Sequence, residues 1–143
     1  MTLKEHGMIP EIAGLPPLAW TSAPSHAVYD QADGMLTLTA AAGVDWSNDS
    51  LGGEQQHRAS ALAFTAPASF SLSARVLVVS SRTTFDAGVL ALWADSDHWA
   101  KLCFEYSPHG EAMVVTVVTN TYEACERWFH VAGTHGPELR GRL

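Results

Sequence analysis

The chain has 143 residues, 47% apolar and 16% charged, and fifteen Asp and Glu against eight Lys and Arg give it a formal charge of −7. That balance excludes a disordered linker, and no apolar run is long enough to span a bilayer. The negative charge repels phosphate backbones and anionic lipid surfaces, so neither nucleic acid nor membrane is an expected partner.

The length suits one domain over residues 1–143, large enough to bury a core without staples. The opening residues Met1-Thr2-Leu3-Lys4-Glu5-His6-Gly7 carry an acid and lack the apolar stretch of a secretory signal, which makes the cytoplasm the expected location. Up to about residue 25, Pro10, Pro16, Pro17 and Pro24 remove backbone donors and favour an irregular segment running over the surface.

Helical periodicity is hard to find, whereas period-2 alternation recurs between turn residues, so the pattern is all-β. Ala27-Val28-Tyr29, Asp33-Gly34 and Met35 to Ala40 read as a hairpin, with Leu36, Leu38 and Ala40 expected to face the core. Residues 43 to 58 are polar and glycine-rich, and their length predicts a functional or mobile loop. A short strand over Ser60 to Phe64 stops near Pro67. In Phe70-Ser71-Leu72-Ser73-Ala74-Arg75-Val76 the even positions are apolar, so one face meets the core and one meets water. Ala87 to Trp93 and Trp99 to Tyr106 flank the turn Ala94-Asp95-Ser96-Asp97-His98, and Met113 to Thr119 follows Pro108-His109-Gly110. These three predict an antiparallel meander within a two-sheet sandwich or jelly roll.

The runs Phe85-Asp86-Ala87-Gly88-Val89-Leu90-Ala91-Leu92-Trp93, Trp99-Ala100-Lys101-Leu102-Cys103-Phe104-Glu105-Tyr106 and Val114-Val115-Thr116-Val117-Val118-Thr119 resemble the "regulation of enolase" family. Trp20-Thr21-Ser22-Ala23-Pro24, Asp33-Gly34 and Asp45-Trp46 match that family's N-terminal pattern in kind and order, so the resemblance covers about residues 15–123. It implies a concanavalin A-like β-sandwich of two antiparallel sheets, of a kind whose function is unknown. After Thr119 the chain departs from the family pattern, reading Tyr122-Glu123-Ala124-Cys125-Glu126-Arg127-Trp128, and it ends at Leu143. The resemblance therefore implies that the C-terminal strands are lacking, which would leave a sheet edge open and lead to self-association.

Alternation on 99–106 places Trp99, Lys101, Cys103 and Glu105 on one face, with Leu102, Phe104 and Tyr106 facing the core. Asp86 and Trp93 on the opposing strand, and Thr116 on the following one, complete a candidate group suited to sugars. Charged groups bond hydroxyls, and aromatic rings cover the apolar faces of pyranose rings. A plain solvated face with a Lys101–Glu105 pair worth little energy fits the same residues.

Glycoside hydrolysis needs two carboxyl groups about 5 Å or about 6.5–9.5 Å apart. Asp86 and Glu105 are the pair available, but no clustered E-x-D-x-x-E motif of the concanavalin A-like glucanases is present. The seven histidines, at 6, 26, 57, 98, 109, 130 and 135, form no H-x-H, H-E-x-x-H or Cys-His cluster, so no metal is expected. Asp45, Asn48 and Asp49 offer hard oxygens to Ca²⁺ but lack the D-x-D-x-D-G spacing and suit turns equally well. Gly52-Gly53 lacks the strand and helix of a phosphate-binding loop.

Cys103 and Cys125 are read as free thiols, with a disulfide as the lesser alternative, and Cys103 has no neighbouring histidine to make it a nucleophile. Of Trp46 and Trp128, at least one is expected in the core. The reading is thus a non-catalytic, carbohydrate-associated binding module needing no cofactor. The alternatives are a glycosidase using Asp86 and Glu105, or a protein-interaction domain acting on a metabolic enzyme.

Overall fold

The computed structural model describes residues 8–21, 24–49, 51–78, 85–120, 123–130 and 138–142. Every strand among them lies in an antiparallel sheet and none of these described residues is helical, so the protein is all-β, consistent with a β-sandwich. No helix among the described residues is therefore long and apolar enough to cross a membrane. The chain forms two compact units, Met1–Asn48 with Gly53–Ala68, and Asp49–Gly52 with Ser69–Leu143.

Among the described residues, the first unit holds three two-stranded sheets. β1 (Ala19–Trp20) pairs with β6 (Leu62–Ala63), and the Thr21 amide extends this ladder by donating to the Ala61 carbonyl at 3.0 Å. β2 (His26–Asp30) and β3 (Met35–Thr39) form the predicted hairpin. Its turn depends on Gly34 at φ 64°, and the Ala32 amide donates to Asp30 Oδ1 at 2.8 Å. The register puts Leu36 and Leu38 on one face with Ala27 and Tyr29, but every residue of β3 is exposed, as is Ala40. The expected core role of Leu36, Leu38 and Ala40 is thus corrected: among the described residues β3 has a strand neighbour on one side only, and its apolar residues stay largely in solvent.

Residues 43–58 are also not a plain loop. β4 (Trp46–Asn48) and β5 (Gln55–His57) pair in register, with Trp46 opposite His57 and Asn48 opposite Gln55. Polar side chains conceal this hairpin from a search for apolar alternation, yet hydrogen bonds hold it. Trp46 is buried and its Nε1–H donates to the Ala59 carbonyl at 2.9 Å, while His57 Nε2 lies 2.7 Å from Asn48 Oδ1. Trp46 thus meets the expectation of a core tryptophan; Trp128 lies on a strand whose side chains fall outside those described.

In the second unit, β8 (Gly88–Asp95), β9 (His98–Tyr106), β10 (Ala112–Asn120) and β11 (Glu123–His130) make one four-stranded sheet in the order β11-β10-β9-β8. The predicted meander is its first three strands. β7 (Ser71–Arg75) alternates exposed and half-buried, with Leu72 and Ala74 inward as their spacing predicts, and pairs with β12 (Glu138–Arg142). Beyond Thr119, where the chain departs from the family pattern, it therefore still supplies two strands. Val76, just after β7, lies against Gly88 so closely that a methyl at 88 would overlap its side chain.

The β8–β9 connection is tight: Asp95 pairs with His98, and a bulge falls between Trp93 and Asp95. Asp95 Oδ1 accepts the Asp97 amide at 2.9 Å, and His98 Nδ1 lies 2.8 and 3.0 Å from the two carboxylate oxygens. Ser107 closes β9 to β10. Its buried hydroxyl accepts the amides of His109 and Glu111, and Gly110 turns the chain at φ 78°.

Candidate functional site

Antiparallel partners share a face, so the register of the meander defines the candidate site. Cys103 faces Val115 and Val89, Lys101 faces Val117 and Ala91, Trp99 faces Thr119 and Trp93, and Glu105 faces Met113. Trp93, Trp99, Lys101 and Glu105 are therefore gathered on one face, as the alternation of 99–106 implies.

That face is not an open polar surface. Trp99 is 3% exposed, Glu105 7% and Val115 2%, and Cys103, Met113, Val117 and Thr119 are also buried. The division of β9 into a polar outer face and an apolar core face is corrected accordingly. Only Phe104 of the three residues assigned to the core is buried, while Leu102 and Tyr106 are half-buried. The physical reason lies on β10, where Met113, Val115 and Val117 make the odd-numbered face continuously apolar, and their β9 partners share its burial.

The exposed part of this face lies at the β8–β9 hairpin end. Trp93 is 44% exposed directly opposite buried Trp99, and Lys101 is half-buried with its Nζ 5.9 Å from the Trp99 ring centroid. That distance is within reach of a cation–π attraction, which holds the ammonium beside the Trp99 indole. Thr119 completes the corner. Its Oγ1 is buried and has no hydrogen-bond partner among the described residues, an arrangement that costs about 1–3 kcal/mol unless a water or ligand group satisfies it.

Two predicted members do not join the group. Thr116 pairs with Leu102 and Arg127 and so belongs to the opposite face of the sheet. Asp86 precedes β8, is exposed, and follows Phe85 at φ 69°. Continued backward, the alternation of β8 would bring Ala87, not Asp86, to the face of Glu105. Thr119 is the residue that sequence reasoning missed, although its odd number, shared with Val115 and Val117, was the available signal.

The other candidates resolve locally. Asp45 Oδ1 accepts the Trp46 amide, and Asp49 Oδ1 accepts the Leu51 amide at 2.8 Å. With Asn48 beside His57, each of these residues has an oxygen engaged in the β4–β5 hairpin. No group of three or more His, Cys, Asp or Glu able to hold a metal occurs among the described residues; His6, His135 and the side chain of His130 lie outside them. Cys103 is buried and not disulfide-bonded, and the Cys125 side chain lies outside those described.

Residues 20–128 match the model of a family described as a protein of unknown function (DUF1349). No curated protein and no solved structure matches the chain.

Proposed function

Because the chain belongs to the DUF1349 family, whose description assigns no activity, we propose from its own geometry that it is a non-catalytic saccharide-binding module centred on Trp93 and Lys101. The observation that carries this reading is exposed Trp93 in register opposite buried Trp99, with the Lys101 ammonium beside the Trp99 indole. An indole face covers the C–H face of a pyranose, an ammonium donates to its hydroxyls, and a rigid buried neighbour fixes the platform. Thr119, beside Trp99 on the same face, packs against this platform from a buried position. Glu105 supports the packing of this face from its buried position rather than reaching a ligand. The concanavalin A-like jelly roll implied by the sequence resemblance is the architecture in which we set this module.

The test is a panel of mono- and oligosaccharides read by thermal shift on the whole chain, with Trp93→Ala and Lys101→Ala as controls. Stabilisation by a saccharide that both substitutions weaken at least tenfold supports the site. Binding that survives both variants, or none across the panel, refutes it.

A second reading, a protein-interaction domain acting on a metabolic enzyme, is favoured by the apolar exposure of Val28, Met35, Leu36 and Leu38 on the β2–β3 hairpin. The resemblance to the "regulation of enolase" family makes enolase the partner to try. Titrating purified enolase with the chain should change its rate up to one equivalent; an unchanged rate and no complex on sedimentation would reject this reading.

A further inference from the structure

The four-stranded sheet ends in two very different edges. β11 at one edge reads Glu-Ala-Cys-Glu-Arg-Trp-Phe-His, with charges spaced along it, the usual protection against unwanted strand pairing. β8 at the other reads Gly-Val-Leu-Ala-Leu-Trp-Ala-Asp and has no Pro, Lys or other charge before Asp95. Its one bulge falls beyond Trp93, so Val89 to Trp93 runs regularly along β9. Among the described residues β8 has a strand on one side only.

We infer that β8 is a homodimer interface, pairing antiparallel with β8 of a second copy about a two-fold axis midway between the two Ala91 residues. Exposure along the strand favours a copy of itself. Val89 and Trp93, on one face, are each 44% exposed and lie two residues either side of Ala91. A two-fold at Ala91 sets Val89 of each protomer against the partner's Trp93, and Leu90 against the partner's Leu92. Each exposed apolar side chain then meets an apolar one, and no like charges face each other.

An axis perpendicular to the sheet keeps the buried faces of both copies on the same side, so the two sheets join without turning either over. The pairing also works whichever β8 amides point outward. Ala91 faces Ala91 in either case, in a hydrogen-bonded or a non-hydrogen-bonded pair. This interface does not depend on the saccharide reading.

Sedimentation velocity and cysteine cross-linking test it together. The wild-type chain should sediment at twice its 15.4 kDa mass, and Val89→Lys should reduce it to the monomer with its far-ultraviolet dichroism unchanged. Directly opposed strand residues lie within disulfide reach, so Ala91→Cys should oxidise to a covalent dimer, whereas Leu92→Cys, opposite Leu90, should not. A wild-type monomer at high micromolar concentration, or a dimer that Val89→Lys leaves intact and Ala91→Cys does not lock, would overturn the inference. Trp93 is left unaltered throughout, so failure here and failure of saccharide binding remain distinguishable.

Discussion

Thr116 and Thr119 differ by an odd number of residues on one strand, which decides their roles. Thr119 faces Trp99 and is buried, while Thr116 belongs to the other side of the sheet. If Thr119 Oγ1 is an orphan hydroxyl in the unliganded protein, Thr119→Val should leave stability unchanged or raise it by about 1 kcal/mol, since a buried unsatisfied group is removed at constant shape. Urea denaturation measures this, and a loss of more than about 1 kcal/mol would show that the hydroxyl has a structural partner. Gly88→Ala should be destabilising by about 1–3 kcal/mol through overpacking against Val76, with Val76→Ala restoring part of the loss in the double variant. Asp95 is held below its ordinary value, first by the hydrogen bond to His98 and then by the Asp97 amide. A lowered carboxylate contributes stability above the ordinary aspartate range and loses it as pH falls through the native value. Asp95→Asn should therefore lower Tm slightly at neutral pH and flatten the acid limb, so that the variant and wild-type profiles converge as pH falls through the native Asp95 value.

Among the elements, those with apolar alternation were legible in the sequence. Phe70 to Val76 became β7 with its even positions inward, and Ala87 to Trp93 and Trp99 to Tyr106 became β8 and β9 around the expected turn. The β4–β5 hairpin was not legible, because Ser47, Asn48, Gln55 and Gln56 lack such a pattern; side-chain hydrogen bonds and the anchored Trp46 define it instead. Trp46→Phe deletes the bond to the Ala59 carbonyl and should lower stability by about 1–2 kcal/mol, read by urea denaturation. The candidate site was half legible. Alternation on β9 grouped Trp99, Lys101 and Glu105 correctly, but alternation alone does not say which face is buried. Met113, Val115 and Val117 on β10 decide that, and only the register links the two strands.

For the whole chain, charge and edges set the terms of association. At −7 it disfavours polyanions, and a second copy carrying the same charge has to meet it through an uncharged stretch such as Val89 to Trp93. The two sites proposed for it meet at Trp93, whose indole offers its face to a sugar while its strand offers an edge to a second copy. Isotope-edited NMR of the whole chain, titrated with the best saccharide from the panel, tests the central claim most directly. The account predicts shifts concentrated at the Trp93 indole N–H and at the Lys101 and Thr119 amides, saturating with added sugar. Shifts confined to the β2–β3 hairpin, or none at these three residues, would contradict it.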